Sequence, residues 1–492
     1  MRAEALQPVY RQVLAQTERF PDKAAIVSAR RTISYAQLAS SIAGTAAALK
    51  ERYDVRDGDR VVLLAASHSG FVSTYLAAHS IGAVCVPLDP RTGAPRFADI
   101  VERVSPKLVV SEAAAPVTSA STATFDELTE DVTPAFPDDI DLGRTADILF
   151  TTGTTGRSKG VTLSHRSLAA ACSHINAFMK TRNDAVEVLP LPLSHSFGLG
   201  RVRCVLSLGG TLVLLPGFVG TAPVLAAIAE FKATGFASVP AGIALFLNDR
   251  GSSFEKYADQ LQYIEIGSSA MPMAHKRALM KALPRTRICM HYGLTEASRS
   301  AFLSFHDDED RLDSIGRPSP GVAMRIVDDN GNEVGDGVEG EIEVSGNHLT
   351  TGYWQDPALS KTALRDGWLR TGDLGHRDTD GYFYLKARTS DIINIGGRKV
   401  APLEIEEILL RHPAVADCAC VGVPDPQGLS DEMVSAFLVA DPAHGSLPKF
   451  SELAKLLRKS LEPYKIPRRF TWVDEIPKSP SGKVLRRELK GR

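Results

Sequence analysis

Three separated stretches of the chain carry residue types that suit the binding of a nucleoside triphosphate. Thr152–Gly160 reads TGTTGRSKG, Tyr292–Glu296 reads YGLTE, and Leu369–Asp373 reads LRTGD. The first supplies hydroxyls, backbone N–H groups freed by glycine and one cation. The second places a carboxylate beside a hydroxyl and an aromatic ring, and the third holds an aspartate next to a glycine. Because charge on a reacting phosphate needs cations and aligned donors, the three stretches together predict an ATP site.

The spacing of these residues excludes two common ATP-binding families. A Walker A loop needs four residues between its glycine and Gly-Lys-Ser/Thr, and Gly153, Gly156 and Lys159 do not fit that register. The protein-kinase motifs that carry the base and the metal ligands do not follow either. In order and separation the stretches resemble instead the adenylate-forming superfamily of acyl-CoA synthetases, luciferases and adenylation domains. Two further segments extend the resemblance: Arg388–Glu406, with RTSDIINIGGRKVAPLEIE, and Pro477–Arg486, with PKSPSGKVLR.

The resemblance implies that the Gly/Thr loop grips the pyrophosphate part of ATP. The residues that it assigns to this contact are Thr152, Gly153, Thr154, Thr155, Gly156 and Lys159. The family usually has a proline just before the lysine, whereas this chain has Ser158. The replacement loosens the loop without removing a donor.

The second and third motifs are expected to hold the rest of the nucleotide. By resemblance, Tyr292 lies against adenine, Thr295 donates to the α-phosphate, and Glu296 binds Mg²⁺, which prefers one or two carboxylates together with phosphate oxygens. Asp373 is expected to accept hydrogen bonds from both ribose hydroxyls, and Arg388 to contact ribose or phosphate. Further nucleotide-binding positions are expected at Gly267, Ser268, Ser269, His291, Gly293 and Tyr384.

Lys483 resembles the family's catalytic lysine, which bridges the substrate carboxylate and the α-phosphate during adenylation. In the second half-reaction the C-terminal domain is expected to swing about a hinge at Ser390 and carry Lys483 away. The loop Ile395–Lys399 then faces the phosphopantetheine arm of CoA or of an acyl-carrier protein. Ser390 departs from the family, in which Asp or Lys is commoner at the hinge, but a small residue can still absorb the change in φ and ψ.

The segment Leu189–Gly200, which contains LPLSHSFGLG, resembles the family's substrate-side motif. His195 is expected to gate access of the carboxylate, and Phe197 to border the acyl pocket. Amino-acid-activating relatives carry an Asp in this motif that pairs the α-ammonium; its absence disfavours an α-amino acid. Gly293 stands where acetate-specific relatives have tryptophan, so an acid longer than acetate is expected. The predicted pocket residues are Phe197, Val239, Pro240, Ala270 and Gly293.

These motifs predict an ATP-dependent acid-thiol ligase with ATP, Mg²⁺ and CoA as cofactors. The acid is a small carboxylic acid, aliphatic or aryl. A stand-alone ligase that loads an acyl-carrier protein is the alternative, because both acceptors present the same arm. A luciferase-type oxidase would use the same adenylation site, but nothing in the chain marks an oxygenation step. A non-catalytic nucleotide sensor is disfavoured because Glu296, Asp373 and Lys483 are all retained.

Composition limits the possible partners and surroundings of the protein. The net charge of −2 argues against a nucleic-acid binder. Six cysteines at 85, 172, 204, 289, 418 and 420 form no CxxC pair, which favours a reduced cytoplasmic protein without structural zinc. Glycines and prolines interrupt the long uncharged runs Val61–Leu88 and Cys204–Ala229, so neither is expected to span a membrane. The N-terminus lacks the apolar core of a signal peptide, so export is not expected.

The elements that position the motifs follow from hydrophobic periodicity. Apolar runs alternate with amphipathic stretches through the first 300 or so residues, which predicts parallel sheets covered by helices. From Gly316 to Leu385, short strands separated by Asn-Gly, Asp-Gly and Gly-Tyr turns predict hairpins or a small β-barrel. A compact α+β segment follows Asp391. With 492 residues the chain exceeds a single core, and the resemblance implies a large α/β domain over 1–389 and a small mobile domain over 390–492.

Overall fold

The structure is a computed structural model of the chain. It describes residues 6–29, 31–113, 118–128, 140–151, 158–248, 254–388, 391–395, 398–426, 432–442, 444–479 and 482–490. Most of the Gly/Thr loop, the hinge residue Ser390, and Gly396 and Gly397 lie outside the described residues.

The helices and strands are numbered in chain order. The helices are α1 (Val9–Arg19), α2 (Tyr35–Glu51), α3 (Ser69–Ser80), α4 (Ala94–Val104), α5 (His165–Met179), α6 (Ser196–Ser207), α7 (Thr221–Glu230), α8 (Pro240–Asn248), α9 (Met273–Ala282), α10 (Pro357–Ala363), α11 (Pro402–Leu409), α12 (Phe450–Leu457) and α13 (Arg486–Lys490). The strands are β1 (Ala24–Val27), β2 (Thr32–Ser34), β3 (Arg60–Leu64), β4 (Val84–Leu88), β5 (Leu108–Ser111), β6 (Ser121–Thr124), β7 (Thr145–Thr151), β8 (Lys159–Ser164), β9 (Val186–Leu189), β10 (Thr211–Leu214), β11 (Gly235–Ser238), β12 (Tyr263–Ile266), β13 (Arg287–Tyr292), β14 (Ala301–Ser304), β15 (Arg317–Pro318), β16 (Val322–Val327), β17 (Gly340–Gly346), β18 (Gly352–Tyr353), β19 (Leu364–Arg365), β20 (Trp368–Arg377), β21 (Phe383–Arg388), β22 (Ile393–Ile395), β23 (Arg398–Val400), β24 (Val415–Pro424), β25 (Glu432–Ala440) and β26 (Arg469–Trp472).

Two large sheets carry most of the first 320 residues or so. The seven-stranded sheet has the order β18-β8-β7-β4-β3-β5-β6, and the nine-stranded sheet has the order β15-β14-β13-β12-β11-β9-β10-β1-β2. The strands in the middle of each sheet run parallel. The predicted parallel sheets with covering helices are therefore confirmed.

One apolar core joins the two sheets. Helices α3 and α5 contact the first sheet, α6 contacts the second, and α5 contacts α6. The core includes side chains from both sheets and from all three helices. Helix α3 is buried along its whole length, because it is covered on every side. This burial explains why the run Val61–Leu88 is almost uncharged although it crosses no membrane.

Most strands between Val322 and Arg388 form an antiparallel sheet of their own, whereas β15 and β18 join the two large sheets. Four of the antiparallel sheet's five strands have the order β16-β17-β20-β19. The fifth strand, β21, also pairs with β20: β19 pairs with residues 368 and 369, and β21 pairs with residues 373–377. The predicted hairpins are thus confirmed. The described pairings do not join β16 to β21, so they show this expected barrel as an open, branched sheet.

The last segment forms a small α+β unit. Strands β24, β25 and β26 make a three-stranded sheet, and β22 with β23 make a hairpin. Along β24, Cys418 and Cys420 enter one apolar cluster, whereas Ala419 and Val421 enter another on the opposite face. Both cysteines therefore serve core packing. The expected boundary between 389 and 390 stays a prediction, because both residues lie outside the described ranges.

Among the described residues, no helix has the length and apolar character needed to cross a bilayer.

Candidate active site

Asp373 lies at the centre of a buried cluster formed where two motifs meet. Its side chain is 1% exposed on β20. Tyr292, at the end of β13, donates its hydroxyl to Asp373 Oδ2 at 2.7 Å. Arg388 faces Asp373 across the strand pair β20–β21, with Nε 3.0 Å from Oδ1. Burial raises the pKa of Asp373, and Arg388 and Tyr292 oppose that rise. The arrangement brings together three of the predicted nucleotide residues.

Lys159 and Glu296 are joined by a residue that no motif pointed to. Lys159 begins β8 directly after the Gly/Thr loop. Tyr353, on β18, pairs with β8 and donates its hydroxyl to Glu296 Oε1 at 2.9 Å. The ammonium of Lys159 lies 5.7 Å from the centre of the Tyr353 ring. Tyr353 therefore connects the expected phosphate cation to the expected magnesium ligand.

The far end of the Gly/Thr loop is held by α4. Arg103 donates from Nη1 to the carbonyl of Ser158 at 2.6 Å. Trp354 donates its indole N–H to the carbonyl of Arg103 at 3.1 Å. The serine that replaces the family's proline thus has its carbonyl fixed by a charged donor. The loop residues Thr152, Gly153, Thr154, Thr155 and Gly156 lie outside the described residues, and their role stays a prediction.

Lys483 lies against the nucleotide cluster. It is half-buried, and its pKa is lowered first by burial and then by the positive charge of Arg388, while Asp391, Asp373 and Glu296 oppose that effect. Gly482, with φ +81°, is packed within 4 Å of Val239 and of Ser269 Oγ at the position where a Cβ would stand. The C-terminal motif therefore packs against residues of the predicted acid pocket, and Lys483 is near enough to Arg388, Asp373 and Glu296 for their charges to act on it.

The predicted pocket residues occupy the carboxyl edge of the second sheet. Ser238 pairs with Ile266, and Ile266 pairs with Met290, so the next residues in register are Val239, Gly267 and His291. Ligands of parallel sheets bind at this edge. The remaining residues lie nearby along the chain: Ser268 at φ +83°, exposed Ala270, exposed Gly293, half-buried Thr295 in the turn after β13, and buried Pro240 at the start of α8.

His195 and Phe197 are placed by the start of α6. His195 is the residue before the first turn, and Phe197 lies edge-on to His291 with ring centres 4.7 Å apart. Burial lowers the pKa of His195, and Asp89 partly opposes that shift. Its Nε2 is buried and has no hydrogen-bond partner among the described residues. An uncharged imidazole with a free nitrogen fits a group that meets the carboxylate.

A largely buried charge network lies beneath this pocket. We call it the pocket network; it consists of Glu187, Arg201, Glu265, Arg299 and His291. Arg201 binds Glu187 through Nε at 2.9 Å and reaches Glu265 Oε2 at 2.9 Å. The other oxygen of Glu265 lies 3.0 Å from Arg299 Nε and 2.8 Å from His291 Nδ1. Burial would raise the pKa of Glu265, but Arg299 and Arg201 hold it below its usual range.

Sequence reasoning missed most of this network, although the chain contained a signal. Glu187 lies in VEVL and Glu265 in YIEI, both strands that are otherwise apolar. A buried carboxylate needs a partner, and the arginines of α6 in GRVRC were the obvious source. Of the expected nucleotide residues, Tyr384 is not brought to the cluster. Its hydroxyl donates to Asp378, and it lies four residues before Arg388, about 13 Å along β21.

Comparison with known proteins agrees with this architecture. Residues 13–354 match the family described as AMP-binding enzyme, and residues 404–483 match the AMP-binding enzyme C-terminal domain. A feruloyl-CoA synthase from Amycolatopsis sp is 32% identical over 486 residues, which cover 96% of each chain. The fatty acid–[acyl-carrier-protein] ligase ScoC from Streptomyces coeruleorubidus is 30% identical over 98% of this chain and 96% of its own.

A solved structure matches the whole fold as well. ATP-bound MatB from Rhodopseudomonas palustris is 27% identical, with a TM-score of 0.89 and 98% of both chains covered. The resemblance to adenylate-forming enzymes that the five motifs indicated is confirmed. This chain belongs to the AMP-binding enzyme family.

Proposed function

We propose that the protein is an ATP-dependent ligase that joins a carboxylic acid to a thiol. The acid attacks the α-phosphate of ATP, which gives an acyl-adenylate and pyrophosphate; the thiol then takes the acyl group and releases AMP. The observation that carries this proposal is the position of Lys483. The preceding residue, Gly482, packs beside Val239 and Ser269 of the predicted acid pocket, and the charges of Arg388, Asp373 and Glu296 shift the pKa of Lys483.

The nucleotide is expected to bind across the cluster of Tyr292, Asp373 and Arg388. Asp373 has two acceptor oxygens, which suits two ribose hydroxyls. The raised pKa of this carboxyl reflects burial, and a pair of donor hydroxyls would stabilise its charged form. Arg388, which faces Asp373 across the strand pair, would contact ribose or phosphate. The structural relative MatB is described as ATP-bound, which supports ATP as the nucleotide.

Like-charge repulsion is the main barrier to bringing a carboxylate to a triphosphate. Lys159, Arg388 and Lys483 are cations placed around the site by three different elements, and together they would offset the charge that develops on the phosphates. Glu296 is half-buried and keeps one oxygen beyond its contact with Tyr353, which fits a Mg²⁺ ligand. The ion would supply further positive charge to the phosphates there.

The second half-reaction requires that Lys483 leave the site. We propose that the segment after Ser390 turns as a body, so that 1–389 and 390–492 act as two domains. CoA is the proposed thiol, and an acyl-carrier protein is the alternative. The relatives support both acceptors, because one is named as a CoA synthase and the other as a carrier-protein ligase. The six cysteines are free and buried, which supports a reducing, cytoplasmic setting.

The test is exchange of labelled pyrophosphate into ATP with a panel of carboxylic acids. We expect exchange with at least one acid, and its loss by about 10²-fold or more in Asp373→Ala. Asp378→Ala is the matched control, because Asp378 lies in the same hairpin but contacts Tyr384. Absence of exchange with every acid contradicts the proposal. Thioester formation with free CoA or with a holo carrier protein then identifies the acceptor.

A further inference from the structure

The imidazole ring of His291 lies directly against Gly267, the residue that follows β12. Its position is level with Gly267 on the neighbouring strand. A Cβ on Gly267 would stand 2.0 Å from Cε1 and 2.1 Å from Nε2 of His291. The imidazole therefore occupies the space above Gly267, in the row that starts at Val239. This row is the part of the sheet edge that the Gly482 loop covers.

Glu265 determines which nitrogen of His291 carries the proton. Nδ1 lies 2.8 Å from Glu265 Oε1, a close electrostatic contact outside hydrogen-bond geometry. A lone pair would be repelled by the carboxylate at that distance, so Nδ1 bears the hydrogen. Burial lowers the pKa of His291, Glu265 opposes the shift, and Arg299 and Arg201 add to it. The ring is therefore neutral near pH 7. Its other nitrogen, Nε2, is a hydrogen-bond acceptor.

Nε2 is aimed away from the pocket network. Glu265 lies two residues before Gly267 on β12, on the interior side, so the opposite side of the ring faces the carboxyl edge of the sheet. No described residue forms a hydrogen bond with Nε2. Phe197 lies edge-on to the ring, and Val239 stands beyond Gly267. The pocket wall thus offers Nε2 of His291 as an acceptor beside the apolar side chains of Phe197 and Val239.

We propose that His291 is a specificity-determining residue whose Nε2 accepts a hydrogen bond from a hydroxyl on the tail of the acid. The substrates are then hydroxylated carboxylic acids, aryl or alkyl. This inference rests on the proposed ligase function. A tail without a donor leaves Nε2 desolvated and unpaired, which costs enough to lower turnover about 10- to 100-fold. An acid whose hydroxyl reaches Nε2 replaces the hydrogen bond to water that this nitrogen loses when the acid binds.

The experiment compares acids of one carbon skeleton with and without a hydroxyl. Hydroxyphenylpropanoate and phenylpropanoate form the aryl pair, and ω-hydroxy and unsubstituted fatty acids of equal length form the alkyl pair. The ratio of kcat/KM within each pair is measured by pyrophosphate release. We expect at least one hydroxylated acid to be favoured, and the ratio to fall towards unity in His291→Phe. His376→Phe is the matched control, since His376 stacks on Tyr384 in the antiparallel sheet, and it should keep the ratio.

Nitrogen chemical shifts of the free protein give a second readout that does not depend on turnover. His291, assigned by comparison with His291→Gln, should show a protonated Nδ1 and an unprotonated Nε2. A proton on Nε2, or a hydroxyl preference that His291→Phe leaves unchanged, overturns the inference. If the unmodified protein releases no pyrophosphate with any acid, the ligase proposal fails instead, and the two failures are thereby distinguished.

Discussion

Two buried charge networks lie on opposite sides of α6, and only one of them reaches a pocket. The sealed network consists of Tyr75, His79, Asp147 and Arg203. Asp147 Oδ2 accepts hydrogen bonds from the Tyr75 hydroxyl at 2.9 Å and from Arg203 Nη1 at 3.2 Å. Its other oxygen, Oδ1, lies 3.0 Å from Nε2 of His79. Residues two apart on a helix point about 200° from each other. Arg201 and Arg203 therefore serve different sheets, the second and the first.

The difference between the networks indicates which buried polar groups serve only the fold and which are available to a ligand. His79, Cys85 and Asp147 are close enough to suggest a metal site, but the carboxylate already has an arginine, a hydroxyl and an imidazole around it. The pocket network contains the same kinds of groups. It ends, however, at His291, whose second nitrogen faces the acid pocket. Where a series of ion-paired and hydrogen-bonded side chains ends at a cavity, the unpaired atom at its end is available to a ligand.

Removing the central carboxylate, Asp147 or Glu265, should cause the largest loss of stability. The loss should be similar in the two networks. Asp147→Ala and Glu265→Ala each leave buried arginine without its partner, so we expect the free energy of unfolding to fall by about 3 to 5 kcal/mol. Urea denaturation measures the change. Exposed Glu475→Ala is the control, with an expected change within about 0.5 kcal/mol.

The milder change Glu265→Gln distinguishes the two networks by function. It removes the carboxylate that orients His291, so it should alter the preference between hydroxylated and plain acids. Asp147→Asn should leave that preference as it is. An equal change in preference in both variants contradicts the separation of the networks.

A pocket residue outside both networks should lose chemistry without losing stability. Lys483→Ala is expected to slow adenylate formation by about 10² to 10³, or roughly 3 to 4 kcal/mol, because one stabilising cation is gone. Thioester formation from added acyl-adenylate should remain. Lys478→Ala, which removes only a partly exposed pair with Asp417, is the control. Equal loss of both half-reactions contradicts the proposed movement of Lys483.

Adding a side chain at Gly267, against the ring of His291, should have a smaller effect on stability. In Gly267→Ala the new Cβ meets the ring of His291, so we expect destabilisation of about 1 to 3 kcal/mol and a changed acid preference. Gly335→Ala adds a Cβ with no neighbour within 4 Å and serves as the control. Thermal unfolding and the paired-acid assay measure the two effects. An unchanged preference in Gly267→Ala means that the ring does not border the acid.

A further effect on stability is expected from pH. Burial lowers the pKa of His165, beside the sealed network, to about 3, and that of His348, near the YGLTE segment, to about 4. Because the unfolded chain takes up protons below the usual value of 6.5, stability is present above that pH and falls as the pH drops through 6.5 towards 3 or 4. Each histidine contributes about 1.4 kcal/mol per pH unit.

His165→Gln should flatten that pH dependence without changing the acid preference. Urea midpoints between neutral pH and mild acid give the slope, and His412→Gln on the C-terminal unit is the control. A slope equal to that of the unmodified protein indicates that His165 is already protonated when folded.

The sequence predicted the nucleotide side of the site better than the acid side. Tyr292, Asp373 and Arg388 lie within recognisable motifs. The strand of Tyr292 belongs to the predicted α/β region, and the antiparallel pair that carries Asp373 and Arg388 belongs to the predicted hairpins. Tyr353 could not be found in this way, because β18 has two residues and pairs with a strand far earlier in the chain. The orientation of His291 depends on Gly267 of another strand. Pairings of this kind are set by tertiary packing, which local patterns do not encode.

The electrostatic repulsion between Arg388 and Lys483, which lowers the pKa of Lys483, bears on the timing of the reaction. Docking of the C-terminal segment brings two like charges together, so any anion held between them strengthens docking. By reciprocity, docking strengthens retention of that anion by the same factor. Triphosphate and acid therefore recruit the lysine, and departure of pyrophosphate removes much of the attraction that keeps it in place. The enzyme would thus be released for its thiol partner by the loss of its own first product.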